Sequence, residues 1–337
     1  MIAANRDEGC LAAEPGIVSP LHLVILIPVR DDWPSVSELL RRLDQTLLQH
    51  HCIVDVLLVD DGSIENANAA DYLRPFATLR RIRILRLRRN LGHQRAIAVG
   101  LVHIKKFIPS DAVLVMDGDG EDTPDGALQL LYAFTGAAAI FAKRSRRTES
   151  FVFKLFYRLY KIIHRGLTGV SVEVGNFSLI PSNDVGTLVV MSELWNHYAA
   201  AVIRSGLPVK KVPIPRGQRI AGKSKMNFVT LAAHGMSAIS VFGDIIGVRL
   251  LVASVLGAFL AVLGIFAVFL VQIFTHWAIP GWAIDSIGTL AVILIQCITM
   301  AFCLTFTLLS NRVDFGFIPL RDSELFVDGV QEIYRND

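Results

Sequence analysis

Two long stretches without a charged residue constrain this fold more than any other feature. Residues 250–275 and 286–310 contain no Asp, Glu, Lys or Arg. As α-helices each would be about 37 Å long or more, which exceeds the roughly 30 Å hydrocarbon thickness of a bilayer. The apolar share of the 337-residue chain is 53% and its mean hydropathy is +0.49, both high for a soluble protein. The sequence therefore predicts two transmembrane helices within residues 247–310, rather than two buried helices of a soluble core.

The charges around these stretches predict how the hairpin is oriented. The connecting segment, HWAIPGWAID, contains Trp277 and Trp282, which suit a membrane interface, but neither Lys nor Arg. The nearby basic residues lie outside the two uncharged stretches, at Lys223, Lys225, Arg249, Arg312 and Arg321. Because basic residues flank transmembrane helices on the cytoplasmic side, we expect both the N-terminal part and a C-terminal tail, residues 311–337, to lie in the cytoplasm.

The N-terminus, the cysteines and the net charge each exclude a class of protein. Residues 1–20 lack the apolar core of a secretory signal peptide and are expected to form a disordered tail. The four cysteines form neither a CxxC pair nor a Cys/His cluster, which favours reduced, structural thiols. A net charge of +3 and a pI near 8.7 argue against a dedicated nucleic-acid binder.

The first 215 residues alternate between strand and helix patterns. The segments LHLVILIPV, CIVDVLLVDDGS, RIRILRLRRN and AVLVMDGDG predict strands, and SVSELLRRLDQTLLQ and QRAIAVGLVHI predict helices. Ser35 is the predicted N-cap of the first helix, with Glu38 three residues on. This alternation predicts an α/β domain over residues 21–215 with a mostly parallel sheet. Residues 216–246 form a basic, amphipathic segment before the membrane.

Polar side chains follow each predicted strand. In an open α/β sheet, ligands bind beyond the carboxyl ends of the strands, so these side chains should meet at one site. Besides an acidic cluster after the fourth strand, they are Arg30, Asp31, Asp32, Asp60, Asp61, Arg89 and Asn90.

The acidic cluster lies in the segment VLVMDGDGEDTPDG. Asp117, Asp119 and Glu121 alternate with Gly118 and Gly120, so in an extended segment the three carboxylates would project to one side. They would repel one another unless a cation joined them, and carboxylate oxygens favour Mg²⁺ or Mn²⁺. The glycines remove side-chain bulk and let a ligand approach the backbone.

Two other interpretations of the cluster compete with a metal site. A calcium loop of EF-hand type needs Gly at its sixth position and Glu at its twelfth, where this sequence has Asp122 and Leu128. The second interpretation is a solvated acidic turn at the start of a helix, and it remains an alternative for the three alternating carboxylates. It is the favoured interpretation for Asp122 and Asp125, which flank Thr123 and Pro124.

The motifs IPVRDD, LLVDDGS, RNLGHQRAIAVGL, MDGDGED and RIAGKSK occur in this order before the two predicted membrane helices. Together they resemble family-two glycosyltransferases of the GT-A fold. The resemblance is greatest to the membrane-anchored polyprenyl-phosphate glycosyltransferases, the group that includes dolichol-phosphate mannosyltransferase and bacterial lipid-phosphate glucosyltransferases. It covers roughly residues 23–310, and it implies a Rossmann-like catalytic domain followed by a transmembrane hairpin.

The resemblance implies a site for a nucleotide-sugar donor. Asp117 and Asp119 would hold a divalent metal, Mg²⁺ or Mn²⁺, on the donor diphosphate, with Glu121 as a third ligand. The residues implied to bind the donor nucleotide are Pro28, Asp31, Asp60, Asp61, Arg89, Asn90 and Asp117. The segment PVRDD stands where the family commonly has an Asn-Glu pair.

The resemblance also implies a site for the phosphate of a lipid acceptor, formed by Arg144, Arg219, Ser224 and Lys225. Asp119, Arg144 and Arg219 are the residues expected to act in the reaction itself. Farther on, Asn176 and Ser178 in VGNFSLIP replace the Asp and Arg that relatives often carry. An alternative role for the basic residues of this predicted acceptor site is simply to anchor the domain to an anionic membrane.

The function expected from these observations is inverting transfer of a hexose. The donor would be a UDP- or GDP-sugar, and the acceptor a polyprenyl phosphate on the cytoplasmic face of a bacterial inner membrane. Glycosyl transfer to another membrane lipid and a catalytically silent, membrane-anchored scaffold are the alternatives. A processive synthase is disfavoured, because the sequence has no Q-x-x-R-W segment. Assembly of several copies is left open.

Overall fold

The structure is a computed structural model of the chain. It describes residues 20–48, 50, 52–67, 72, 75–144, 165–170, 174–221, 235–274, 281–313 and 316–336. The predicted N-terminal tail, apart from residue 20, lies outside the described residues.

The described residues form one sheet of eight strands in the order β7-β5-β6-β4-β1-β2-β3-β8. The strands are β1 (Leu21–Val29), β2 (Cys52–Asp60), β3 (Leu79–Leu87), β4 (Ala112–Val115), β5 (Ala139–Arg144), β6 (Ser178–Pro181), β7 (Val209–Ile214) and β8 (Val327–Arg335). The central strands β4, β1, β2 and β3 are parallel, as are β5 and β7, while the other three pairings are antiparallel. The predicted α/β class with a mostly parallel sheet is confirmed.

Helices cover both faces of this sheet. They are α1 (Trp33–Leu47), α2 (His93–Phe107), α3 (Pro124–Ala133), α4 (Ser182–Val189), α5 (Tyr198–Arg204), α6 (Gly243–Phe274), α7 (Trp282–Val313) and α8 (Pro319–Asp322). Alternate residues of a strand point to opposite faces. Val24 and Leu26 of β1 therefore pack in the core with α2, whereas Leu23, Ile25 and Ile27 pack in the core with α1.

The start of α1 differs from the prediction. The helix begins at Trp33, with Asp32 rather than Ser35 at the N-cap, and Pro34 lies in its first turn. Ser35 is fully buried, and its hydroxyl donates to Oδ1 of Asp32 at 2.7 Å. Proline fits the first turn of a helix because its missing N–H has no intrahelical partner there, and this signal outweighs the capping box that the sequence suggested.

The segment after the second long helix returns to the catalytic domain. Strand β8 pairs antiparallel with β3 and forms the eighth strand of the sheet. Tyr334 anchors it, since its hydroxyl accepts from the backbone N–H of Phe76 at 2.9 Å. An ion pair between Lys106 and Glu324, at 2.6 Å, holds the preceding turn against α2. Part of the segment predicted to be a C-terminal tail, residues 311–337, is thus a strand of the folded domain.

Helices α6 and α7 form the predicted hairpin. Both are long and apolar enough to cross a membrane. They pack through small residues: a Cβ at Gly247, Gly257 or Gly264 of α6 would meet Leu308, Cys297 or Leu290 of α7. Such close approach of two backbones is typical of membrane helices, where packing rather than the hydrophobic effect drives association. Because β8 lies beyond α7, both ends of the hairpin face the catalytic domain.

Candidate active site

The candidate site lies at the carboxyl ends of the four central parallel strands. The strand ends are tied together by the backbone, since Asp61 donates its N–H to Val29 O at 2.9 Å and Met116 donates to Leu26 O at 3.1 Å. The polar residues that follow β1, β2, β3 and β4 in the sequence are therefore brought to one edge, as predicted.

Two of the predicted donor residues, Asp31 and Asp60, organise the loop after β2. Asp31 has a positive φ of 51°, which is uncommon for a residue other than glycine. Its Oδ1 accepts from the backbone N–H of Ile64 at 2.7 Å, while its own N–H donates to Ser63 Oγ at 3.0 Å. Asp60 Oδ1 accepts from the Ser63 N–H at 2.9 Å. Both carboxylates thus fix the loop after β2, and Pro28 lies beside it in β1, paired with Val59.

Asp61 connects this loop to the one after β3. Its side chain is buried, and its two oxygens accept from the backbone N–H groups of Leu91 at 2.6 Å and Gly92 at 2.9 Å. Burial raises the pKa of the Asp61 carboxyl group. Asn90 Oδ1 also accepts from the Gly92 N–H, at 2.9 Å. The structure gives Asp61 and Asn90 a part in shaping the site, and their contact with a nucleotide stays a prediction.

Arg89, another predicted donor contact, lies over an aromatic ring of the C-terminal segment. Its guanidinium is 6.0 Å from the centroid of the Phe326 ring, within the range of a cation–π interaction. The sequence alone gave no sign of this contact, because the two residues are more than 230 positions apart. It brings the return segment after the hairpin to the edge of the site.

The acidic cluster forms a turn rather than an extended segment. Gly120 has a positive φ of 85°, which reverses the chain between Asp119 and Glu121. Asp119 Oδ1 accepts from the backbone N–H of Glu121 at 2.9 Å. The predicted projection of three carboxylates to one side is therefore wrong, because the glycine turn replaces the extended backbone on which that prediction depended.

The end of the cluster starts α3, as expected. Thr123 is the N-cap and accepts from the N–H of Gly126 at 3.0 Å, Pro124 is in the first turn, and Asp125 follows it. Asp122 precedes the N-cap. It is buried, and its Oδ2 accepts from the backbone N–H of Asp117 at 2.9 Å, which fixes the first carboxylate of the cluster.

A basic segment lies across the acidic turn. We call residues 216–220 the basic strap. Its backbone is held by two hydrogen bonds, from Gly217 N–H to Glu121 O at 2.8 Å and from Ile220 N–H to Asp119 O at 2.9 Å. A Cβ at Gly217 would collide with the side chain of Thr123 and with the backbone of the turn. Glycine is therefore required for this close approach.

The arginines of the strap pair with the acids of the turn. Arg219 Nη2 lies 2.6 Å from Asp119 Oδ2, and both side chains are largely buried, with exposed fractions of 24% and 14%. Arg216 donates to Oε2 of Glu121, with Nε at 2.8 Å. Partial burial strengthens such pairs, because water screens them less. The structure thus unites Asp119 and Arg219, which the sequence assigned to the donor and acceptor sides respectively.

The remaining acid of the cluster contacts a histidine. His93, the first residue of α2, has Nε2 3.1 Å from Asp117 Oδ1. Burial of the imidazole disfavours its charged form, but the carboxylates of Asp117, Asp122 and Asp61 together outweigh this effect and raise the pKa of His93.

Asn176 and Gln94 connect the histidine to α5. Asn176 Nδ2 lies 2.9 Å from His93 Nε2, and its Oδ1 accepts from Gln94 Nε2 at 3.1 Å. Gln94 Oε1 in turn accepts from the N–H of Tyr198 at 2.7 Å. Ser178, the other departure from the family pattern, donates to Asn176 O at 2.8 Å. The sequence did not identify Gln94, because a glutamine on an apolar helix carries no pattern of its own.

Replacing Gln94 by leucine is expected to destabilise the domain. The change leaves the buried Tyr198 N–H without an acceptor and Asn176 without a donor, which should lower the free energy of unfolding by about 1–3 kcal/mol. Denaturant titration of the purified chain in detergent measures this. Gln129→Leu, on the exposed side of α3, is the matched control. Equal stability of the two variants would contradict the structural role of Gln94.

The acids of the turn suit a divalent cation chemically, but they are not assembled around one point. No group of three His, Cys, Asp or Glu side chains converges on a metal position among the described residues. Asp117 and Asp119 offer hard oxygen ligands, and His93 and Arg219 already lie against them, at 3.1 Å and 2.6 Å. Glu121 is turned toward Arg216 instead. Asp117 and Asp119 are therefore the better candidates for metal ligands. The assignment of all three acids as ligands stays a prediction.

Three residues of the predicted acceptor site lie wholly or partly outside the described structure. The backbone of Arg144 ends β5, next to Ile214 of β7, but its side chain is outside the described part of the structure. Ser224 and Lys225 also lie outside the described residues. Of the acceptor residues, Arg219 alone is placed with its side chain, and the structure adds Arg216 beside it.

Comparison with known proteins gives the family. Residues 24–180 match the family model described as Glycosyl transferase family 2. The chain is 26% identical to the uncharacterized glycosyltransferase YkcC of Bacillus subtilis (strain 168), over 77% of this chain and 80% of that protein. It is 27% identical to the undecaprenyl-phosphate 4-deoxy-4-formamido-L-arabinose transferase of Edwardsiella ictaluri (strain 93-146), over 80% of this chain and 82% of that protein.

A solved structure is also similar. It is glucosyl-3-phosphoglycerate synthase from Mycobacterium tuberculosis in complex with Mn²⁺, uridine-diphosphate-glucose and phosphoglyceric acid. The match has a TM-score of 0.47 at 14% identity and covers 67% of this chain and 80% of that chain.

The family match spans β1 to β6, and so contains the strand ends, the acidic turn and the histidine that contacts it. These are the elements that carried the resemblance in the sequence, and the sheet has the mostly parallel arrangement expected of the GT-A fold. The resemblance is confirmed. Residues 24–180 of this chain form a glycosyl transferase family 2 domain, and the protein is a glycosyltransferase.

Proposed function

We propose that the protein transfers a hexose from a UDP- or GDP-sugar to a polyprenyl phosphate at the cytoplasmic face of a bacterial inner membrane. One observation carries the proposal. The basic strap lies directly on the acidic turn, through Arg219 and Asp119 at 2.6 Å, and the chain enters the first long apolar helix soon afterwards, at Gly243. Groups suited to a donor diphosphate and to an acceptor phosphate thus adjoin each other in the part of the chain that precedes the apolar hairpin.

The donor side of the proposal depends on the strand ends and the acidic turn. The loop held by Asp31 and Asp60 offers a place for the nucleoside. Asp117 and Asp119 would hold Mg²⁺ or Mn²⁺, which would neutralise the leaving nucleoside diphosphate. The buried Asp122 fixes the backbone of Asp117, and so positions its carboxylate before the donor arrives.

The acceptor side requires cations rather than a general base. A phosphate monoester is anionic near neutral pH, so no proton has to be removed before its oxygen attacks. That oxygen forms a bond to the anomeric carbon, the bond from this carbon to the nucleoside diphosphate breaks with its electron pair, and the configuration inverts. Arg219, with Arg216 next to it, would hold the acceptor phosphate as a bidentate partner. The relative in Edwardsiella ictaluri, named as an undecaprenyl-phosphate transferase, supports this acceptor class.

A second acceptor class is favoured by one observation. Asn176 and Ser178 occupy positions where relatives often carry Asp and Arg, and their side chains bind His93, Gln94 and Tyr198 rather than facing the strap. A site with fewer charges there would suit a membrane lipid whose nucleophile is a hydroxyl group.

A transfer assay distinguishes the two acceptor classes, a polyprenyl phosphate and a lipid with a hydroxyl group. Membranes that contain the full-length chain are incubated with radiolabelled nucleotide sugars and undecaprenyl phosphate, and the lipid product is treated with mild acid. Release of free sugar is expected, because a sugar linked through phosphate at its anomeric carbon is acid-labile. A labelled lipid that resists mild acid would overturn the proposed acceptor in favour of a hydroxyl lipid. No labelled lipid with any donor would overturn the proposed transfer to lipid.

A further inference from the structure

The loop between β3 and α2 is held at both of its ends. At its start, the backbone N–H of Arg88 donates to the carbonyl oxygen of Phe326 at 2.8 Å. At its end, the buried carboxylate of Asp61 accepts from two backbone N–H groups of the loop. Arg89 and Asn90 lie between these two anchors. Their backbone is therefore fixed from both sides, whereas the long side chain of Arg89 has to be oriented separately.

The contact that orients the side chain of Arg89 is with an aromatic ring. Its guanidinium lies over the ring of Phe326, 6.0 Å from the centroid, and within the described part of the chain it has no hydrogen bond or ion pair. The neighbouring Arg88, by contrast, lies 3.5 Å from Asp328. Stacking uses the flat face of a guanidinium and leaves the N–H groups in its plane available to a ligand.

The ring of Phe326 is itself held by other aromatic rings. The ring centroids of Trp195 and Phe317 lie 5.4 Å and 6.0 Å from it, and 4.0 Å from each other. Phe326 is half-buried and packs against the apolar core on the α2 side of the sheet, to which Leu87 and Leu91 on either side of the loop also belong. A ring packed in this way is a rigid support for the guanidinium above it.

The position of Arg89 indicates which part of a donor it would meet. The strands that end at the site have the order β4-β1-β2-β3, so the end of β3 lies three strand spacings, about 14 Å, from the acidic turn after β4. In the proposed function the diphosphate lies at that turn and the nucleoside at the loop held by Asp31 and Asp60. The base, which is the end of the donor farthest from the diphosphate, would then lie toward β3 and Arg89.

We propose that Arg89 donates a hydrogen bond to a carbonyl oxygen of the donor's base, and that Phe326 is a positioning residue that holds the guanidinium for this contact. The proposal rests on the proposed function, since it assumes a nucleotide donor. Uracil and guanine both carry carbonyl oxygens, whereas adenine carries none. Because Phe326 follows the membrane hairpin along the chain, the segment after the hairpin thereby contributes to the donor site.

Nucleotide binding to the full-length chain in detergent, with Mn²⁺ present, tests the role of Phe326. UDP, GDP and ADP are compared by calorimetry. For whichever of UDP and GDP binds more tightly, Phe326→Leu should raise the dissociation constant by about 2- to 30-fold, the range of a cation–π contact. Phe326→Tyr retains an aromatic ring and should restore the affinity. The affinity for ADP should be the same in all variants. Leu325→Ala, next to Phe326 and 76% exposed, is the matched control and should bind as the wild type does.

A double-mutant cycle distinguishes positioning from simple packing. If Phe326 acts through Arg89, Phe326→Leu should have no further effect once Arg89 is replaced by glutamine. Pentafluorophenylalanine at position 326 retains an aromatic ring but removes its negative face, so it should weaken binding as leucine does, and it tests the contact even where Phe326→Leu does not fold. In the transfer assay the donor KM should rise and kcat should stay unchanged, because the base takes no part in the reaction.

Four results would overturn the proposal and leave the proposed function intact. They are equal nucleotide affinity of Phe326→Leu and the wild type, additive effects of the substitutions at positions 89 and 326, an equal loss of ADP binding, and unchanged binding of UDP and GDP by Arg89→Gln. A wild-type chain that binds none of the three nucleotides would instead overturn the nucleotide donor, and with it the proposed function.

Discussion

Replacing Asp119 by asparagine is expected to reduce sugar transfer by about 100-fold or more, the usual effect of removing one group that stabilises developing charge in an active site. The substitution preserves the size of the side chain but removes the charge that a divalent cation needs and that Arg219 contacts at 2.6 Å. Binding of UDP or GDP, measured by calorimetry with and without Mn²⁺, should lose its dependence on the metal. Transfer of radiolabelled sugar reports the loss of activity.

Asp125→Asn is the matched control for this experiment. Asp125 lies six residues away, in the first turn of α3, and is exposed. Its replacement removes the same charge from the same segment without touching the strap, so transfer should change little. Unchanged donor affinity and turnover in Asp119→Asn would exclude Asp119 as a metal ligand, whatever the control shows.

Replacing Arg219 by glutamine is expected to separate the two halves of the reaction. Transfer to polyprenyl phosphate should fall by about 100-fold or more, because a charged hydrogen bond to the acceptor is lost in a site with little water. Hydrolysis of the donor in the absence of acceptor should persist, since Asp117 and Asp119 remain. The two activities are measured in parallel with the same radiolabelled nucleotide sugar.

Lys211→Gln is a suitable control for Arg219→Gln. Lys211 is an exposed cation on β7, five residues before the strap, and it tests whether any loss of positive charge near the membrane has the same effect. Equal loss of transfer and of donor hydrolysis in Arg219→Gln would show that Arg219 supports the donor site or the fold. Equal effects of both substitutions would favour simple anchoring to an anionic surface.

The elements with strong periodicity were predicted correctly from the sequence. The strands before the acidic residues, the helices α1 and α2 and the apolar hairpin all have patterns of sufficient length, and the cluster's position at a strand end follows from alternation of strand and helix. The strand β8 was not predicted, because nothing in VDGVQEIYR distinguishes a polar edge strand from a solvated tail. Its partner β3 lies about 240 residues earlier.

The details of the site required the structure for a physical reason. The sequence shows which acids and arginines are present, but not which of them pair, because pairing depends on the turn at Gly120 and on the close approach at Gly217. The alternating carboxylates suggested an extended backbone, whereas the structure has a turn with a positive φ at Gly120 and pairs Glu121 with Arg216. The roles of Arg144, Ser224 and Lys225 stay predictions.

The return of β8 to the sheet sets an order of assembly. This strand follows α7 along the chain, so the ribosome makes it only after both long helices have been synthesised, and domains generally begin to fold from the N-terminus during synthesis. Until then β3 is an open edge, with the unpaired backbone groups that favour aggregation. Completion of the sheet must therefore wait for the hairpin. A chain that fails to bring its end back to the domain retains an exposed edge, which marks it for the cell's quality control.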